Sequence, residues 1–354
     1  MTANATPRAV RSMMRRAQSH DKLNILTFCA HERYEQNLCR TGHNFYSVAM
    51  GKTWDTDYGA VPDNYHIIDS IPDYVDFDMV LSHTTCDRLA FAHNFLAKTE
   101  AATENRSGVP ILRHTHVLPD VRFDVATQLN NFTAFPITQD TFISKYSMGA
   151  WGMGKSDAKF IEHGVDIDFW QPNPNMKRDN VCLSVVNDWP NRDWCCGWEL
   201  WKKTIGPKKV RNGQGQQQSK QLPVNVVGKS PGLSEPAKST EHLREIYQSS
   251  KIFYNTSLHS PVPTVLLEAM ACGCAIVSTA NCMIPEVIQH QHNGLISNDP
   301  NELRGFLEQL LKDDDLAEEL GNNARKTIEA KYTLSRFVKN WDRILQSTVS
   351  EYKD

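Results

Sequence analysis

The chain has 354 residues, of which 40% are hydrophobic and 22% charged, and a formal net charge of −3. That length predicts two domains, each able to bury its own core, and the near-neutral balance excludes a strong whole-chain field drawing the protein to nucleic acid or anionic membrane. No apolar run approaches the roughly 20 residues that span a bilayer, and the nine cysteines, an odd count scattered through apolar segments, point to a reducing cytoplasm rather than a disulfide framework.

Residues 1–22 are polar and carry Arg8, Arg11, Arg15, Arg16 and Lys22 against Asp21. They lack the apolar stretch of a secretory signal and are expected to form a flexible basic arm. A strand is predicted over residues 23–28, a polar loop at His31, Glu32 and Arg33, and a helix running to Arg40. Further strands follow over 45–48, 77–81 and 109–112, with a helix over 88–98 that has apolar residues at helical spacing. The strand over 109–112 ends in His114-Thr115-His116. Prolines and asparagines at 171–175 mark a linker.

The alternation then restarts. Strands are predicted over 181–186, 224–227, 251–254 and 275–278, helices over 197–204, 265–271, 301–312, 315–330 and 334–350, and a mobile Gly/Gln-rich surface insertion over 212–221. Strands alternating with helices imply parallel sheets with helices on both faces. The expected organisation is an arm (1–22), two Rossmann-like α/β domains facing across a cleft (23–172 and 173–333), and a last helix (334–354) returning to the first domain. Ligands in such sheets bind outside the carboxyl ends of the strands.

The most informative stretch is Ser260-Pro261-Val262-Pro263-Thr264-Val265-Leu266-Leu267-Glu268 and on to Gly273. Pro263 suits a first helical position and Gly273 a C-terminal stop. The free amides of Thr264 and Val265, with the helix dipole, then make a site for a diphosphate. Glu268 lies one turn on, on the face of Thr264, where a carboxylate can accept from two vicinal hydroxyls. An ordinary buried helix with Glu268 paired to a cation is the competing reading.

Glu268-Ala-Met-Ala-Cys-Gly-Cys-Ala-Ile-Val-Ser-Thr279, Ile284-Pro-Glu-Val-Ile288 and Asn293-Gly-Leu-Ile296, in that order, resemble the C-terminal domain of glycosyltransferase family 4, a GT-B family of mostly retaining enzymes that use nucleotide-diphosphate sugars. The segment from His163 to Pro172 is similar to its interdomain segment, and residues 316–332 match its late helix and the segment after it. The resemblance is strong from about Phe160 onward. It implies an acceptor domain first, a nucleotide-sugar domain second, and ribose binding by Glu268. The family's other paired glutamate falls on Ser260. Its Gly-Arg pair falls on Asn187-Asp188 and its lysine on Cys196, which leaves Arg192 and Lys229 as the cations for the leaving diphosphate. Counted from Pro110, His116 takes the place of the histidine beside the donor sugar, with His114 its neighbour.

The family's glycine-rich first loop is absent. His31, Glu32 and His114 stand as candidate acceptor contacts, and Gly42-His43 as packing. Asp76/Asp78 and Asp166/Asp168 spell Asp-x-Asp but are not read as metal sites, and no metal or other cofactor is expected. The version with His31-Glu32, a Trp-rich 187–197 and Ser-Pro-Val-Pro-Thr is similar to a phage-type subgroup. It implies a retaining transfer from a UDP-sugar to a hydroxyl, with a 5-hydroxymethylated pyrimidine in phage DNA as candidate acceptor, in the host cytoplasm. The basic arm, Arg113 and Arg122 would then meet backbone phosphates. A saccharide or glycan acceptor, a catalytically lapsed sugar-nucleotide-binding protein, and an epimerase on the same fold are the alternatives.

Overall fold

The structure, a computed structural model, describes residues 22–29, 31–50, 54–56, 59–72, 74–83, 86–101, 108–212, 215–218 and 220–353. All of the expected basic arm except Lys22 lies outside them. The chain forms two units: the segment up to Glu162 with Phe337–Asp354, and His163–Arg336.

The first unit is a seven-stranded parallel sheet. Its strands are β1 (Asn24–Thr27), β2 (Asn44–Val48), β3 (Tyr65–Ile68), β4 (Met79–His83), β5 (Ile111–Thr115), β6 (Gln139–Phe142) and β7 (Lys159–Phe160). The order is β3-β2-β1-β4-β5-β6-β7, so the topology reverses between β1 and β4. The continuously buried runs of β4 and β5 are those of strands covered on both faces. Helices α1 (Glu32–Cys39), α2 (Cys86–Ala101), α3 (Val125–Thr133) and α4 (Lys145–Ala150) connect them. The polar loop expected at residues 31–33 is shorter than predicted: His31 is the N-cap, and Glu32 already lies in α1.

The second unit is a five-stranded parallel sheet of β8 (Asp179–Val185), β11 (Val224–Val227), β12 (Ser250–Asn255), β13 (Ala275–Ser278) and β14 (Leu295–Ile296), in the order β11-β8-β12-β13-β14. Its helices are α5 (Trp198–Ile205), α6 (Thr240–Ser249), α7 (Thr264–Ala271), α8 (Pro300–Lys312) and α9 (Asp314–Lys331). At the expected insertion over 212–221, β10 (Gly215–Gln218) pairs antiparallel with β9 (Lys209–Asn212), with Gly215 opposite Asn212.

The sequence reading placed the domain boundary after residue 172, whereas the units divide at Glu162/His163. Residues 163–172 are held by the second unit. Val165 bridges Thr333, Gln248 Nε2 donates to the Gln171 carbonyl, and the Arg325 guanidinium donates to the carbonyls of Ile167 and Trp170. The last helix, α10 (Leu334–Lys353), contributes Phe337 onward to the first unit. There Trp341 is fully buried, its Nε1 donating to Tyr34 Oη at 3.0 Å, and Asp342 meets His43 at 3.1 Å. Burial lowers the pKa of His43 below its usual range, against the opposing pull of Asp342. No helix among the described residues is long and apolar enough to cross a membrane.

Helix α7 is fixed at its C-terminal end by two guanidinium groups. Arg178 Nη2 donates to the Cys272 carbonyl at 2.6 Å, while its Nη1 reaches the carbonyls of Tyr247 and Ser250. Arg325 Nη1 donates to Ala271 at 2.9 Å. Cations at a helix C-terminus satisfy its orphan carbonyls and oppose its dipole. Gly273, at φ +75°, turns the chain out, and its carbonyl lies 2.3 Å from where a Cβ on Gly321 would stand. Arg325→Ala is expected to destabilise the second unit by about 2–3 kcal/mol, the scale of charge-assisted hydrogen bonds to buried carbonyls. A lower urea midpoint for that unit's transition is the measurement, with Arg325→Lys recovering part of the loss.

Candidate functional site

In the second unit the loops after β8, β11 and β12 leave the carboxyl edge of the sheet on either side of the β8/β12 reversal, where α/β sheets place ligands. They carry, or lead into α7 with, the seven donor-side residues that the sequence singled out in this unit: Arg192, Lys229, Ser260, Pro263, Thr264, Val265 and Glu268. Asp188 sits at φ +50°, and its amide donates to the Lys229 carbonyl at 2.8 Å. Asn187 Oδ1 in turn accepts from the Lys229 amide at 2.8 Å. Gly228, at φ +133°, allows this approach, since a Cβ there would stand 2.1 Å from the Val186 carbonyl oxygen. Two loops are thereby locked together, and each presents one exposed cation, Arg192 and Lys229.

Cys196, where the family pattern has a lysine, is buried, with its sulfur 3.5 Å from Cys195 Sγ. That contact and burial push its thiol well above the ordinary range. Its carbonyl accepts from Trp189 Nε1 at 2.9 Å and from Thr256 Oγ1 at 2.7 Å. The Trp-rich loop is therefore core: Trp189, Trp198 and Trp201 pack with ring centroids 5.2–5.4 Å apart. Gly197, at φ +68°, starts α5 against the β12 loop, and a Cβ on it would stand 2.2 Å from the Thr256 oxygen.

The β12 loop delivers Ser260, half-buried, whose Oγ donates to the Pro261 carbonyl at 2.8 Å. Pro263 was expected at the first helical position. It is instead the N-cap, at ψ 130°, so the helix begins with Thr264. A proline has no side chain that can cap, and no side-chain cap is present. The first intrahelical bond runs from the Leu266 amide to the Pro263 carbonyl at 3.0 Å, which leaves the amides of Thr264 and Val265 at the dipole's positive end. Glu268 is 6% exposed, and its Oε2 accepts from Tyr247 Oη at 3.2 Å. A buried tyrosine on α6 thus helps to align the carboxylate.

In the first unit the reversal between β1 and β4 gathers a second cluster at the carboxyl edge. His83 ends β4 in register with His114 on β5, and His116 lies just beyond β5. His83 Nδ1 is 2.7 Å from His116 Nε2. His83 Nε2 is 3.0 Å from Glu35 Oε1 on α1, at charge-pairing distance but off the line of a full hydrogen bond. Glu35 and His83 are buried, whereas His116 is half-buried. The expectation that His114 touches an acceptor is corrected, because it is 0% exposed and both ring nitrogens are engaged, Nε2 with Tyr34 Oη at 2.8 Å and Nδ1 with Thr141 Oγ1 at 2.9 Å.

Glu32, another expected acceptor contact, is likewise buried. Its Oε1 accepts from the Asp55 amide at 3.3 Å and lies 3.9 Å from Cys29 Sγ. His31 stays exposed at the start of α1. Arg113, expected to meet phosphates, is 2% exposed; it forks onto Asp140, donates to the Phe132 carbonyl and lies over the Phe132 ring. Arg122 is paired with both oxygens of Asp120. Of the Asp-x-Asp pairs, Asp78 accepts from the Asn24 amide and Asp166 from the Phe169 amide, both structural contacts. Among the described residues no group of three or more His, Cys, Asp or Glu is arranged to hold a metal ion.

Residues 236–327, from α6 to most of α9, match the family model described as Glycosyl transferases group 1. An uncharacterized glycosyltransferase of Methanocaldococcus jannaschii is 31% identical over 113 residues, 31% of this chain and 27% of that protein. N-acetyl-alpha-D-glucosaminyl L-malate synthase of Bacillus anthracis is 29% identical over 116 residues, 32% of this chain and 30% of that protein. These matches span less than a third of the relatives' own length. In three dimensions, sucrose-phosphate synthase of Thermosynechococcus elongatus superposes with a TM-score of 0.67 at 13% identity, covering 93% of this chain and 100% of that one. HepE of Anabaena gives 0.68 at 14% identity, covering 92% and 100%. The fold is α/β of the GT-B kind seen in these neighbours, and the segment that matches the group 1 model lies within the second unit.

Two of the positive-φ glycines of the second unit separate close approach from strain. Gly197→Ala is expected to destabilise that unit by roughly 1–3 kcal/mol and to shift the tryptophan emission, because the added Cβ forces α5 off the β12 loop. Gly232→Ala, also at positive φ but with nothing within 4 Å of its Cβ, introduces backbone strain alone and should leave the emission unchanged.

Proposed function

We propose that this chain is a retaining glycosyltransferase that moves a sugar from a UDP-sugar to a hydroxyl acceptor in the cytoplasm, without a metal ion. The observation that carries the reading is the uncapped start of α7, with its amides at Thr264 and Val265 and with Glu268 held one turn further in, inside the matched domain. HepE, a structural neighbour, has been solved with UDP and with UDP-glucose, which supports uridine as the nucleoside of the donor. In this reading Glu268 accepts from the ribose hydroxyls, the α7 amides take the diphosphate, and Ser260 and Pro263 line the donor beside them. Arg192 and Lys229 meet the charge that develops as the diphosphate departs.

In the family that the sequence resembles, the position of His116 is held by the histidine that serves the donor sugar. The bond from the anomeric carbon to the diphosphate breaks as the acceptor oxygen bonds the same face. The acceptor proton passes to the leaving phosphate oxygen, so no separate base is required and positioning supplies much of the rate. For the acceptor, a saccharide hydroxyl is favoured over a 5-hydroxymethylated pyrimidine in DNA. Arg113 is buried and Arg122 is neutralised by Asp120, so neither offers the unpaired charge that phosphate contacts use.

The deciding experiment incubates the protein, with chelator present, with a panel of nucleotide sugars and with hydroxymethylcytosine DNA, plain DNA or a mixed glycan pool. Mass spectrometry of the acceptors should show a sugar-sized gain on glycans with a UDP-sugar. Gain on modified DNA alone would transfer the assignment to DNA, and UDP binding with no gain anywhere would make the protein a sugar-nucleotide binder. Glu268→Ala is expected to weaken UDP binding at least about tenfold, since it removes a charged hydrogen-bond acceptor. Calorimetric titration with UDP checks this, and an unchanged Kd would remove Glu268 from the site.

A further inference from the structure

A doubly wound sheet opens a crevice where its strand order reverses, outside the carboxyl ends of the two strands that flank the reversal. In the second unit those strands are β8 and β12, and the loops that follow them are sewn together by main chain. The Cys195 carbonyl accepts from the amides of Leu258 and His259 at 2.8 and 3.2 Å, and the Cys196 carbonyl from Thr256 Oγ1. Two rings stand beside this seam, Trp194 from the β8 loop and His259 from the β12 loop, with centroids 5.9 Å apart and planes 38° from parallel. Both are half-buried. Trp194 rests on the core of the unit, in a one-turn helix (Asp193–Cys196) that Gly197 ends at φ +68°. Packing and backbone bonds therefore hold the pair in place, and rings held in this way lose little freedom when a ligand meets them.

We infer that Trp194 and His259 are specificity-determining residues, a two-ring wall against which the hexose of the donor packs its C–H face. The inference rests on the reading of the second unit as a UDP-sugar site. In that reading Glu268 takes the ribose and the amides of Thr264 and Val265 take the diphosphate. Back along the chain from α7 come Pro263, Ser260 and then His259, so the group beyond the diphosphate meets the β12 loop. The side chains presented there are aromatic rather than acidic. Ser260 Oγ is turned to the Pro261 carbonyl, and Asp193, beside Trp194, is engaged by α5, its Oδ1 accepting from the Glu199 amide at 2.8 Å. A pyranose carries C–H bonds of slight positive charge on its face, and the face of an aromatic ring is negative. Such a wall reads the shape of a neutral sugar ring and leaves its charge unread.

The test is calorimetric titration of the full chain with UDP and with UDP-glucose, UDP-galactose and UDP-N-acetylglucosamine. Trp194→Ala is expected to weaken at least one UDP-hexose about fivefold, the scale of a ring-face contact, and to leave the Kd for UDP unchanged. Trp194→Phe, which keeps a ring face, should recover most of the loss. His259→Ala should act in the same direction; it removes a half-buried side chain but keeps the amide bonded to Cys195, so it decides the matter if Trp194→Ala does not fold. Equal weakening of UDP and of every UDP-hexose would mean that the rings serve the nucleoside or only hold the loops, and would overturn the wall while leaving the donor reading intact. Kd values that neither substitution moves would do the same. A wild-type protein that does not bind UDP would remove the donor reading and the wall with it.

Discussion

Arg178 and Arg325 anchor the buried end of α7, and the candidate donor site of the second unit depends on that anchor. The helix buries every side chain from Leu266 to Ala271, so its position is dictated by packing. Packing alone, however, would leave the carbonyls of Ala271 and Cys272 unsatisfied in the interior, which is costly for any backbone acceptor. Two guanidinium forks remove that cost and bring other parts of the chain to the same point: Arg178 draws in α6 and β12 through Tyr247 and Ser250, and Arg325 draws in residues 167–170. The opposite end of the helix is left open. Pro263 cannot cap it, so its dipole and its amides face outward.

The first unit likewise sets a buried cluster beside a half-buried strand end. Glu35 and His83 are buried, and His116 is half-buried just past the strand end, 2.7 Å from His83. His114, two residues away in sequence, is held by Tyr34 and Thr141, and its ring centroid lies 4.4 Å from that of His116. Residues two apart share a strand face, yet these two differ in burial: His114 is wholly buried and His116 half-buried.

Much of the architecture was legible because hydrophobic alternation is strong in buried parallel strands. β11 and β13 fall where the sequence places them, and α7 differs by one residue, because Thr264 rather than Val265 opens it. Elements with little burial were missed. β3 has one buried residue, Tyr65, and α3 has one, Phe132, so neither shows a stripe. The amphipathic pattern and Ser239 cap of α6 were readable and passed over. The pairing of Glu35 with His83 was not legible, since it joins α1 to the end of β4 through tertiary structure. Ending β4 at residue 81 hid the signal. Extended by two residues, the strand would have put His83 level with His114. The arginines misled for a related reason: charge counts in a sequence do not distinguish a solvated Arg122 from an Arg113 buried under Asp140 and Phe132.

The departures from the family pattern at Ser260 and Cys196 bear on how a leaving diphosphate could be met. Cys196 sits where a side-chain charge would be buried against Cys195 and the tryptophan cluster, an unpaired position that a lysine could not occupy without a large desolvation cost. The chain instead carries its cations on the loop tips, at Arg192 and Lys229, which Asn187 and Asp188 tie to each other through the backbone. Exposed side chains that are held by rigid main chain lose less freedom on meeting a charged ligand than cations on independent loops would. The Gly228 approach that brings these loops together therefore does for the charge what the uncapped start of α7 does for the amides. Both place donors at the carboxyl edge before any ligand arrives, which is the arrangement that electrostatic stabilisation of a departing group requires.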